Sequence, residues 1–114
     1  MKKYIIDLEN DENDDFGFDN VGKISVFNEE GNEISNSSRV MIMLSQNALL
    51  GLGTELIRLA KSYREGMHFH IYPSEKGSIV ETLGIYLTND SCEAIINCCE
   101  FGQIDEIVEK QSKN

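Results

Sequence analysis

The apolar residues of this chain keep a two-residue period over most of its length and switch to a long helical period once, after Ser45. Alternation places successive side chains on opposite faces of a sheet, whereas spacings of three and four build a stripe on one side of a helix. Leu49, Leu52, Leu56, Leu59, Ala60 and Tyr63 follow the helical spacing. Ser45 is a good N-cap, Leu44 is placed to staple to Leu49, and Arg58, Lys61 and Arg64 suit the negative end of the helix dipole. Gly66 is expected to stop the helix in a left-handed turn. Gly51 and Gly53 each cost about 1 kcal/mol relative to alanine inside a helix, which implies close packing of the helix on a sheet.

Around that helix the pattern predicts strands. Residues 3–8 alternate, with Tyr4, Ile6 and Leu8 on one face. Residues 22–28 form a second strand, and Glu30-Gly31-Asn32 turns it into a hairpin with residues 33–35, where Asn36-Ser37-Ser38 breaks the pattern. Residues 39–44 are apolar on both faces, as in a strand covered on two sides. Strands are also expected at residues 67–72, 79–88 and 93–99, with a connection at Glu75-Lys76-Gly77-Ser78, and a short helix at 103–110. The expected fold is α+β: one domain spanning residues 1–114, an antiparallel sheet of about five to six strands, and one long helix packed across it. At 114 residues, with 40% apolar and 26% charged residues, the composition is that of a globular domain.

The formal charge of −10 narrows the function classes. Half of it lies in the first twenty residues, where seven carboxylates face only Lys2 and Lys3. Such a field repels nucleic acid and anionic membrane and attracts basic partners. The apolar run Tyr4-Ile5-Ile6 is too short for a secretory signal, and no stretch approaches the ~18 apolar residues of a membrane span. Three cysteines, Cys92, Cys98 and Cys99, make a poor disulfide framework and point to a reducing cytoplasm. No GxSxG, HExxH, P-loop or dinucleotide signature occurs, so neither an enzyme nor a cofactor is expected.

Two constellations have a bland and a functional reading. His68, His70 and Tyr72 share one face of a predicted strand, opposite Met67, Phe69 and Ile71. They form a solvent-facing or partner-facing surface, or two ligands of a metal site that Cys98 or Cys99 would have to complete. Asp11, Glu12, Asp14 and Asp15 invite comparison with a calcium loop, but the sixth position, Phe16, is not glycine and the twelfth, Gly22, is not glutamate. They therefore form a solvated loop or a docking surface for a cationic protein, to which Phe16 and Phe18 add aromatic anchors.

The block LSQNALLGLGTELIRL at residues 44–59, HFHIYP at 68–73, LGIYLT at 83–88 and IINCCEFG at 95–102 together resemble small immunity proteins of bacterial polymorphic toxin systems, over residues 39–105. The resemblance implies a cytoplasmic antidote that binds one cognate toxin, often a nuclease, and blocks its active site. The expected partner is a basic toxin protein, with no nucleic acid and no membrane. Asp11, Asp14, Asp15, Phe16 and Phe18, with Glu29 and Glu30 at the hairpin tip, form one candidate contact surface. His68, His70, Tyr72 and Tyr86 form a second. The rival expectations are a small metal- or ligand-binding protein built on His68 and His70, and an acidic subunit of a larger assembly.

Overall fold

A computed structural model describes Ile5 and residues 18–112. The predicted strand at residues 3–8 (Ile5 apart) and the candidate contacts Asp11, Asp14, Asp15 and Phe16 lie outside the described residues. The chain divides into two compact units, Ser25–Glu100 and Met1–Ile24 with Phe101–Asn114.

The larger unit opens with a tight hairpin. Phe27 bridges Glu33, and the Ile34 N–H donates to the Val26 carbonyl at 2.7 Å. Gly31, at φ 83°, closes the turn, while the Asn28 carboxamide oxygen accepts from the N–H groups of Glu30 and Asn32. This is side-chain mimicry of a turn, the reason asparagine favours such positions. A 3₁₀ turn at Ser35–Ser37 follows, as expected of the polar break there.

Helix α1 spans Gln46–Lys61, and the Ser45 hydroxyl accepts from the Ala48 N–H at 3.1 Å. The helix ends at Ser62, whose N–H donates to the Arg58 carbonyl. Gly66 is not its stop. It sits at φ 85° in a later turn, where the Met67 N–H reaches the Arg64 carbonyl, and its own N–H donates to Cys98 at 2.8 Å. That bond begins the pairing of β1 (His68–Ile71) with β2 (Ala94–Asn97), antiparallel, with His68 opposite Asn97 and His70 opposite Ile95.

The expected sheet of five to six strands is not formed. Among the described residues the sheet has these two strands, and there are two α-helices, so the fold stays within the α+β class but without the larger sheet expected. Two local causes account for the difference. Residues 79–88 are cut by a two-residue turn in which Leu83 (φ 51°) and Gly84 (φ 78°) are both left-handed, and Thr82 and Ile85 exchange hydrogen bonds across it. Two consecutive positive φ values are the signature of a tight hairpin turn and cannot belong to a continuous strand. Residues 39–44, expected as a covered strand, pair with no strand among the described residues. Beyond the sheet, pairing among the described residues is limited to single bridges, of which Pro73 with Leu87 is parallel.

The turn at Leu83-Gly84 explains one of the two helix glycines. A Cβ on Gly51 would fall onto the Gly84 carbonyl, and one on Gly84 onto the Gly51 backbone, so helix and turn meet backbone to backbone. Gly53 has open space instead. The helix therefore meets a turn at Gly51, and its less exposed face carries Ala48, Gly51, Leu52, Glu55 and Leu59, while Leu49 and Leu56 stand exposed. Among the described residues, Leu59, Ile71, Ile85 and Cys98 are the buried apolar ones.

In the smaller unit, helix α2 spans Ile104–Ser112, close to the predicted 103–110. Asp105 and Glu106 occupy its first turn and Lys110 its last, matching the helix dipole. Its Ile104 N–H donates to the Phe18 carbonyl at 2.8 Å. No helix among the described residues is long and apolar enough to cross a membrane.

Candidate functional site

The outer face of the β1–β2 pair carries a row of rings. Strand alternation directs Phe69 and Ile71 inward, and leaves His68, His70 and Tyr72 together on the other side. The imidazoles of His68 and His70 meet edge to face with centroids 5.3 Å apart, and His70 stacks on Tyr72 at 5.6 Å with only 9° between ring planes. The His70 Nδ1–H donates to the Glu93 carboxylate at 2.5 Å. That pair lies in the open, with 37% and 43% of the two side chains exposed. The His68 Nδ1–H donates to the Gly66 carbonyl at 3.2 Å, which holds the end of the row.

Across the strand pair, Asn97 lies opposite His68 and Ile95 opposite His70. Both are exposed. Directly opposed residues of an antiparallel pair share a face, so Ile95, Asn97 and Glu93 complete the surface. None of these three was among the residues expected from sequence. The alternation at 93–99 was visible in the sequence, but the register that sets it against the histidines was not.

The other expected residues do not gather here. Tyr86 is exposed beside Ser45 and Ala48 at the start of α1, and its phenol is pushed up from the ordinary tyrosine value by a hydrogen bond to the Glu81 carboxylate. Glu29 and Glu30 are exposed at the tip of the 27–33 hairpin. Phe18 is exposed in the smaller unit.

The same geometry tests the metal reading. The Cys98 N–H donates to the Met67 carbonyl at 2.8 Å, which sets Cys98 opposite Met67 on the inner face, where it is buried. A thiol there cannot join two imidazoles on the outer face. Among the described residues no three histidine, cysteine or acidic side chains are grouped to hold a metal ion.

Beside this sheet lies an apolar cleft of about 670 Å³, walled by residues 40–44 on one side and by Leu52, Ile71, Ile85 and Ile96 on the other. Compared with family models, curated proteins and solved structures, the chain matches none.

Proposed function

We propose that the chain is a cytoplasmic binding protein of the immunity type, which neutralises a basic toxin by covering its surface and carries out no chemistry of its own. The observation that carries the reading is the exposed ring row closed by the Glu93 carboxylate. A flat His70–Tyr72 pair beside a carboxylate suits a guanidinium, which stacks on aromatic faces and pairs with carboxylate oxygens through a planar fork. Arginine is what a nuclease would offer to phosphate, so occupying it blocks substrate. The charge of −10 supports the same partner, since steering between opposite charges raises association rates by roughly 10–10³-fold.

If the adjacent gene encodes a large protein with a C-terminal toxin domain, co-expression with that domain tests the reading through cell survival and purified affinity. Tyr72→Ala combined with Glu93→Gln is expected to weaken binding at least about tenfold, the effect of losing a central contact. Reversing Asp11, Asp14 and Asp15 to lysine is expected to slow association and flatten its salt dependence. Unprotected cells with the wild-type chain present, or binding indifferent to all five positions, would refute the proposal.

A further inference from the structure

We infer that residues 39–44 form an isologous strand-to-strand contact with a second copy of this chain. The inference is independent of the proposed function.

Four consecutive apolar residues stand in solvent: Val40 is 49% exposed, Met41 80%, Ile42 69% and Met43 82%. Among the described residues, no backbone group of residues 39–43 bonds to another backbone group. The run combines bare β-branched and long apolar side chains with N–H and C=O groups that meet no other backbone group among the described residues, which is the chemistry of an unprotected sheet edge. It also forms one wall of the apolar cleft, so its uncovered surface continues into that space. At these exposures the four residues present on the order of 500 Å², near the top of what a monomer ordinarily displays in one patch.

The occupant follows from symmetry and charge. Antiparallel pairing centred on Ile42 sets Met41 against Met43 of the other copy and Val40 against Leu44, so the segment complements itself about a two-fold axis. It holds no carboxylate, so a cationic toxin has nothing to pair with there. Two acidic copies, by contrast, meet where neither brings negative charge. The area two copies could bury is at most about 1,000 Å², the lower bound for a specific contact. A contact of that size is expected to be weak and concentration-dependent.

Sedimentation equilibrium of the full chain between about 5 and 300 μM reads the mass directly. A shift from monomer to dimer is expected, strengthened severalfold as NaCl rises from about 0.05 to 0.5 M, because salt screens the repulsion between the copies. Met41→Lys with Met43→Lys should hold the chain monomeric, while Met41→Leu with Met43→Leu should keep the dimer, both with unchanged helical circular dichroism. Hydrogen exchange should show amides 40–44 protected only at the higher concentration. A monomer throughout the range, a dimer indifferent to the lysine pair, or protection of these amides only on adding the toxin domain would overturn the inference.

Discussion

Gly51 and Gly53 stand two residues apart in one helix, with the same intrinsic cost and opposite surroundings. Gly51 faces the Gly84 backbone, and Gly53 faces open space. Gly53→Ala is expected to stabilise the protein by about 1 kcal/mol, the helix-propensity difference. Gly51→Ala should destabilise it, because the propensity gain is outweighed by overpacking of about 1–3 kcal/mol when helix and turn are forced apart. Urea denaturation of the two variants checks the difference in sign. Tyr63 offers a test by titration. Loss of solvation, followed by a hydrogen bond to Glu100 and the nearby carboxylates of Glu100 and Glu65, pushes its phenol up to about 12. A raised value favours the protonated ring in the folded state, so the stabilisation is complete below the ordinary pKa of 10.0 and is lost between pH 10 and about 12. Absorbance at alkaline pH should show a late-ionising component that is lost in Tyr63→Phe and moves earlier in Glu100→Gln, while the raised Tyr86 remains in both variants.

At the scale of elements, local chemistry governs ends and turns. The hydroxyl of Ser45 satisfies a helix N–H that water would otherwise have to serve, so Ser45→Ala should cost about 1 kcal/mol, read from the thermal midpoint together with the helical signal. The turns at Gly31 and Gly77, the start of α1 and the position of α2 were all legible, because each depends on residues within a few positions of one another. The common face of His68, His70 and Tyr72 was legible for the same reason, since it needs only the two-residue period of a strand. Glu93 was not, because its approach to His70 depends on a pairing register across 23 residues of sequence. The break at Leu83 also escaped notice. Leucine rarely adopts a left-handed conformation, and its apolar character reads as strand.

For the whole molecule, charge and apolar surface predict opposite responses to salt. Binding to a basic toxin should weaken as NaCl rises, because the field of −10 is screened. Self-association through residues 39–44 should strengthen over the same range. Measuring both by calorimetric titration and sedimentation on one preparation separates the two surfaces, and lysines at 41 and 43 should abolish the second while sparing the first.

Taken alone, the amino-acid order determined the net charge, the α+β class, the onset of α1 and the presence of α2. These depend on residue chemistry and on neighbours close in the chain. Only the tertiary structure decided which segments pair, that α1 meets the Leu83-Gly84 turn at Gly51, and that Val40, Met41, Ile42 and Met43 stand exposed. Long-range pairing is a competition among many registers of similar apolar strength, and packing, not periodicity, selects the winner.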